Sequence, residues 1–284
     1  PYLNGEDLNS RPDTSPSRWV IDFNDRKESE AASYVAPFDR VVAQVKPERA
    51  SKPKAVREAP WWLFFRSRPA LRKAMSELPE VLVIARVSKT VMPLRVSTGK
   101  IMSEACVVFA TDDYGVQAVL SSSLHQFWAI TYGSTLETRV RYTPSDVFDT
   151  FPRPEGTTLL ADVGLALDKE RREIMLRRDL GLTKLYNLVN DQTIGNDPDV
   201  DRLRALHVEV DEAVISAYGW DDISTGHGFH TYRQVERWGP DARARAELLD
   251  RLLLTNHTRA SETNPSPRNN EPIAVPSEED RLFE

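Results

Sequence analysis

Leu136-Glu137-Thr138-Arg139-Val140-Arg141-Tyr142-Thr143-Pro144-Ser145-Asp146 follows directly on the most regular apolar repeat of the chain. Read as an extended segment, it places Glu137, Arg139 and Arg141 on one face, because strand side chains alternate with period two. In the repeat before it, over 112–132, Val116, Val119, Leu120, Leu124 and Phe127 recur at spacings of three and four. That spacing predicts a helix, capped by Thr111 or Asp112 and ended by Gly133. A helix running at once into a charged strand gives that strand a rigid base.

One acid and two arginines on a single edge suit a surface that reads polar edges. In a DNA major groove, Arg donates two hydrogen bonds to guanine, and Glu accepts from the amino group of cytosine. The alternative is that Glu137 and Arg139 pair with each other on a solvated strand.

Composition bounds these readings. The 284 residues are enough for two domains, and 40% apolar with 28% charged content is ordinary for a soluble globular protein. No apolar run approaches the length that spans a bilayer. The chain begins at Pro1 rather than Met, which reads as a fragment of something longer, although processing also removes a start. The single cysteine, Cys106, excludes an internal disulfide and a multi-cysteine zinc site. Its apolar neighbours predict a buried structural thiol, and a reducing cytoplasm fits.

The net charge of −6 is unevenly spread. Residues 1–153 carry net +3 and the remainder net −9. Within 46–73 nine bases face only Glu48 and Glu58. Such an excess attracts a phosphate backbone without sequence preference, or it is a solvated basic surface. Trp61-Trp62-Leu63-Phe64-Phe65 follows this stretch. Aromatics among bases can stack on unpaired nucleotides, but a five-residue apolar run is expected in a core.

Strands are expected over 18–23, 81–87, 93–97 and 105–110, with a turn at Thr98-Gly99. Residues 28–50 read as helix broken by Pro37 and Pro47. Phe151-Pro152-Arg153-Pro154-Glu155-Gly156 reads as a boundary. Beyond it helices are expected over 157–179, 183–190, 198–218 and 240–254. The third has Asp197 as cap, Pro198 at its first position, and Val200, Leu203, His207, Val210 and Val214 on one face. The expected architecture is α+β. A mixed α/β domain with a small sheet and a long packed helix fills 1–155, an all-α domain fills 156–260, and a disordered tail fills 261–284.

Catalytic motifs are scarce. Adenine methyltransferases hold a flipped base with an Asn/Asp-Pro-Pro-aromatic loop, and the chain has no Pro-Pro pair. It also lacks a strand followed by a Gly-rich, cofactor-cradling turn. Pro12-Asp13 followed by Asp25-Arg26-Lys27 matches a spacing of Mg²⁺-dependent nucleases, in which two carboxylates hold metal and a lysine orients water. Asp13 lies in a Pro-rich turn, however, and so short a pattern arises easily by chance. His227 and His230 read as decoration of a Gly-rich loop, His207 as a core histidine, and His125 as ambiguous.

Several separated motifs share one order. They include Pro1-Tyr2-Leu3-Asn4-Gly5-Glu6-Asp7-Leu8, Ser17-Arg18-Trp19-Val20-Ile21-Asp22-Phe23, Val83-Ile84-Ala85-Arg86-Val87-Ser88-Lys89 and Leu120-Ser121-Ser122-Ser123-Leu124-His125, followed by Tyr132-Gly133-Ser134 and Phe151-Pro152-Arg153-Pro154. Over residues 1–255 this series resembles the region downstream of the methyltransferase domain in MmeI-like (type IIL) restriction–modification enzymes. Those are single chains that combine a nuclease, an adenine-N6 methyltransferase and a shared target-recognition domain.

The resemblance implies that Glu137 and Arg139 jointly select one base pair. In the family a Glu/Arg pair goes with C on the methylated strand, and Lys/Asp with G. It implies that Arg141 reads a neighbouring base with Ala105 as its partner, and that Arg86 and Lys89 meet phosphate or bases. Residues 157–255 would clamp DNA or the methyltransferase domain of the same parent chain. The implied partner is double-stranded DNA in a bacterial cytoplasm, with no membrane. S-adenosylmethionine and Mg²⁺ would serve the parent, with no cofactor or metal in this fragment. Alternatives are the matching region of a nuclease-free phage-defence methyltransferase, a Mg²⁺-dependent nuclease using Asp13, Asp25 and Lys27, and an interaction module that never touches DNA.

Overall fold

The computed structural model describes residues 1–136, 139–233 and 235–263. Strand β1 (Tyr2–Leu3) lies parallel to β5 (Ile101–Met102). Helix α1 (Gly5–Ser10) begins where Asn4 Oδ1 accepts from the Glu6 and Asp7 amides at 2.8 and 2.9 Å. The strand expected over 18–23 does not form. Arg18 makes only an isolated bridge to Tyr2, and Trp19 is 80% exposed. A two-residue edge already paired with β5 has too little free backbone to extend that ladder.

Helices α2 (Glu28–Ala32), α3 (Val35–Ala50) and α4 (Lys54–Glu58) build a small lobe around Phe23, Ala31 and Val41. Helix α3 runs through both prolines. Pro37 falls in its first turn, where no intrahelical N–H bond is lost, and Pro47 falls in its last turn. Trp61, Trp62 and Leu63 pack on this lobe, whereas Phe64 and Phe65 are exposed. The aromatic run is therefore only partly core. Arg72 Nη1 donates to Asp22 Oδ2 at 2.7 Å and ties α5 (Pro69–Met75) to the lobe.

Strand β2 (Glu80–Ala85) is the centre of an antiparallel sheet ordered β4–β2–β6, with β4 at Leu94–Ser97 and β6 at Cys106–Phe109. Val81 to Ala85 are all buried, as a strand covered on both faces requires. Thr98 and Gly99 lie between β4 and β5, as expected. Cys106 is buried, and burial pushes its thiol pKa up to about 11, as an inert structural thiol requires.

The long helix over 112–132 is two helices, α6 (Tyr114–Ser121) and α7 (Ser123–Tyr132). Ser122 takes an extended conformation between them and caps α7 by accepting from the His125 amide. Asp113, not Thr111 or Asp112, caps α6, accepting from Gly115 at 2.6 Å. Gly133 ends α7 as expected. A second sheet follows, ordered β3–β8–β7, with β3 at Val87–Ser88, β7 at Ser134–Leu136 and β8 at Arg139–Arg141. Helix α8 (Pro144–Val147) closes this region.

Helices α9 (Ala161–Arg177), α10 (Leu182–Val189) and α11 (Pro198–Ala217) follow, and Asp197 caps α11 with Pro198 at its first position. The predicted apolar face of α11 is buried. The later part is not helical throughout. Strands β9 (Gly228–Tyr232) and β10 (Val235–Gly239) form an antiparallel pair where a Gly-rich loop was expected. Helix α12 (Ala242–Thr263) continues past 254 and 261, because no breaker interrupts Ala242–Thr263. The remainder of the expected tail, 264–284, lies outside the described residues.

The architecture is α+β. One apolar cluster contains β2, β4, β6, α6, α7, α9, α10 and α11. Glycines permit two close approaches to α6, one by α9 and one by the segment that precedes it. A Cβ on Gly164 would stand 2.0 Å from the Tyr114 carbonyl oxygen, and one on Gly115 would stand 2.0 Å from that of Thr157.

Two histidines lie within this core. Burial pushes His125 and His207 from 6.5 down to about 4. The unfolded chain therefore takes up two protons between pH 6.5 and 4 that the fold refuses, and stability falls as pH falls through that window. At pH 5 each costs roughly 2 kcal/mol relative to pH 7. Urea midpoints measured at pH 7 and pH 5 test this. An unchanged midpoint would mean that neither imidazole is held neutral.

Candidate nucleic-acid interface

Strand β8 derives its orientation from what it buries. Val140 and Tyr142 are 6% and 1% exposed, facing the core. Alternation then turns Arg139 and Arg141 to the other face, where Arg139 is half-buried and Arg141 exposed. The Tyr142 hydroxyl donates to His125 Nε2 at 2.9 Å, and His125 Nδ1 donates to the Leu120 carbonyl at 2.9 Å. Neutral His125, with its depressed pKa, is the form that can accept from Tyr142. Burial raises the Tyr142 pKa, so its hydroxyl stays a donor. The chain of bonds clamps β8 to the junction of α6 and α7.

Cross-strand register sets the neighbours. Arg141 faces Val87 on one side and Ser134 on the other. Arg139 faces Leu136 across an antiparallel pair, so the chain reverses between them. The unbroken strand expected from 136 onward is thus two short strands. Glu137, the acid of the expected trio, lies outside the described residues.

Three of the expected residues meet at one cavity of about 430 Å³, lined by Arg86, Ala105 and Arg141 together with Asn4, Glu6 and Glu104. Backbone bonds hold them there. The Arg86 amide donates to the Ala105 carbonyl at 2.7 Å, and the Tyr142 amide donates to the Arg86 carbonyl at 2.7 Å. Helix α1 closes the floor: a Cβ on Gly5 would stand 3.3 Å from the Ala105 carbonyl oxygen. Arg86 Nε is buried and has no hydrogen-bond partner among the described residues. An unpaired buried donor costs about 1–3 kcal/mol, so its place at a polar cavity marks a position for an acceptor.

Lys89 is exposed beyond β3 and does not line this cavity. Its carbonyl accepts from Arg237 Nη2 at 3.0 Å. Burial lowers the Arg237 pKa. Arg237, on β10, is a basic residue beside the sheet that sequence reading missed. The alternation through Phe229–Tyr232 and Val235–Trp238 was its signal, masked by Gly226 and Gly228.

The metal-nuclease pattern finds no support in the geometry. Asp13 Oδ1 accepts from the Ser15 amide in a tight turn, and the Ser15 hydroxyl together with that amide lowers its pKa. Lys27 caps α2. No group of three or more His, Cys, Asp or Glu among the described residues is placed to hold a metal ion. His227 is more than loop decoration, because its Nε2 meets Asp211 Oδ2 at 2.9 Å. Asp211 also accepts from the Ser123 amide, so this pair braces the start of α7.

Guanidinium groups are thus presented on a short sheet, over a polar cavity and against a fixed helix. The chain belongs to the MmeI target recognition domain family, whose model matches residues 13–155. Its fold is also similar to that of a solved structure, the type IIL restriction–modification enzyme MmeI in complex with DNA. That likeness has a TM-score of 0.66 at 22% identity and covers 92% of this chain and 31% of that one. This chain therefore spans about a third of that protein's length. No curated protein matches the chain. No helix among the described residues is long and apolar enough to cross a membrane.

If the Tyr142–His125 bond sets the stance of β8, Tyr142→Phe should cost about 1–3 kcal/mol, because it leaves a buried acceptor unpaired. Equilibrium urea unfolding of the variant measures this. A loss below about 0.5 kcal/mol would show that the bond does not anchor the strand.

Proposed function

We propose that this chain is the sequence-reading part of a restriction–modification enzyme that methylates adenine N6, and that it selects the target in double-stranded DNA through β8 and the cavity beside it. The observation that carries this is the convergence of Arg86 and Arg141 at one polar cavity, with Arg139 on the same outer face of β8. Forked guanidinium donors match the O6 and N7 acceptors of guanine in the major groove. Strand-borne donors suit this task because their spacing is set by the ladder and not by loop motion.

Each side chain has a role in this reading. Arg139 donates to a guanine while Glu137 accepts from the paired cytosine amino group, so the two together read one base pair. Arg141 reads the adjacent base, and the small Ala105 leaves room for it. Arg86 and Lys89 position the duplex by binding phosphate or base edges. Methyl transfer from S-adenosylmethionine, and any Mg²⁺-dependent cutting, belong to a methyltransferase and nuclease elsewhere in the parent protein. Such an enzyme works where the DNA is, in the bacterial cytoplasm.

The decisive experiment exchanges both reading residues in the complete enzyme, Glu137→Lys together with Arg139→Asp. The expected result is a switch from C to G at one position of the modified site, read by sequencing methylated DNA. Modification at the original sequence by an active double variant would defeat the assignment. The interaction-module alternative predicts little salt dependence, whereas a phosphate-binding surface weakens steeply as salt rises.

A further inference from the structure

A second cavity, about 870 Å³, opens between the small lobe and the edge formed by β1 and β5. Its wall combines two features, the first of them absent from the cavity beside β8. The first is aromatic. Phe64 and Phe65 are 42% and 45% exposed and line the opening, while Trp61 and Trp62 of the same run pack on the small-lobe core. The second is charge. Several bases line the cavity, and some are already engaged. Arg49 donates to the Leu63 carbonyl, Lys52 pairs with Glu48, and Arg72 pairs with Asp22. Arg66 and Arg68 also line it, and no hydrogen bond or ion pair holds their guanidinium groups among the described residues.

Arg68 holds φ at +51°, a conformation that non-glycine residues rarely adopt. Strained residues of this kind persist where the surroundings impose them, and they cluster at ligand clamps. Lys100, on the opposite wall, is held by Ser97 Oγ at 2.8 Å, and burial lowers its pKa. The cavity thus has exposed rings beside unpaired, forked cations.

We propose that this cavity binds an unpaired nucleotide, its base stacked on Phe64 or Phe65 and its phosphate held by Arg66 and Arg68. The bases of a duplex are stacked on one another and have no free face to offer a ring. An unpaired base does, and base–aromatic stacking tolerates any sequence. Planar guanidinium groups bind phosphate through two parallel bonds. The same chemistry belongs to a single-stranded DNA segment and to a free mononucleotide. This site is separate from β8 and does not rest on the role proposed for that strand.

The test measures fluorescence anisotropy of a labelled octathymidylate with the whole 284-residue chain, using dTMP and an octaglutamate peptide as competitors. The octamer should bind, and more weakly as salt rises. Phe64→Ala with Phe65→Ala should weaken binding about tenfold or more, the size of one missing stack. Phe64→Tyr with Phe65→Tyr, which keeps both rings, should bind like the parent chain. Arg66→Gln with Arg68→Gln should reduce the salt slope by about 0.7, for the one phosphate no longer neutralised. Competition by micromolar dTMP would assign the site to a free nucleotide, and competition only by unlabelled octamer would assign it to a strand. Failure to bind, parental affinity in the alanine and glutamine variants, or equal competition by octaglutamate would each overturn the proposal.

Discussion

The hydrogen-bonded path from the Leu120 carbonyl through His125 to the Tyr142 hydroxyl is the constraint on which the proposed interface depends. Period-two alternation makes the two faces of β8 mutually exclusive. Once Tyr142 and Val140 are buried, Arg139 and Arg141 must point away from the core. A slip of one residue would bury two guanidinium groups, which is prohibitive without partners. The imidazole contributes because burial keeps it neutral, so one ring nitrogen donates and the other accepts. The break at Ser122 belongs to the same device. By capping α7 there, Ser122 starts a new helix, and His125 lies in its first turn, facing β8.

A second constraint joins the two halves of the chain. Helix α9 approaches α6 closely enough that Gly164 has no room for a Cβ, and Gly115 of α6 has none against the Thr157 carbonyl. The helix pair that carries β8 is therefore packed directly on the helices of the second half, within a single apolar cluster. Asp211 extends this bracing. It lies on α11, accepts from the Ser123 amide and meets His227. The base beneath the sheet is held from α11 and from the segment leading into β9 as well as from its own chain neighbours.

Much of this was legible in the sequence where the cause is local. The strands around 93–97 and 105–110 stand out as short Val- and Ile-rich runs, the run over 81–87 divides at Arg86 into β2 and β3 of different sheets, and Asp197-Pro198 announces the start of α11. The outward pairing of Arg139 and Arg141 follows from alternation alone. Errors arose where partners decide. Residues 18–23 have strand composition but only a two-residue edge to pair with. Residues 228–239 contain glycines that read as loop, yet each strand supplies the ladder of the other. The extended reading of 136–146 missed the reversal between Leu136 and Arg139, because register is a property of two strands.

The sequence by itself determined the α+β class, the charge asymmetry, and the residue types able to address guanine and cytosine edges. Those features depend on composition and short-range periodicity, which any single chain displays. Only the tertiary structure decided that Arg86, Ala105 and Arg141, up to 55 residues apart in sequence, line one cavity, and that Phe64 and Phe65 stay exposed while Trp61, Trp62 and Leu63 pack partly buried on the small lobe. Burial and convergence depend on which distant surfaces meet, and no local pattern encodes that meeting.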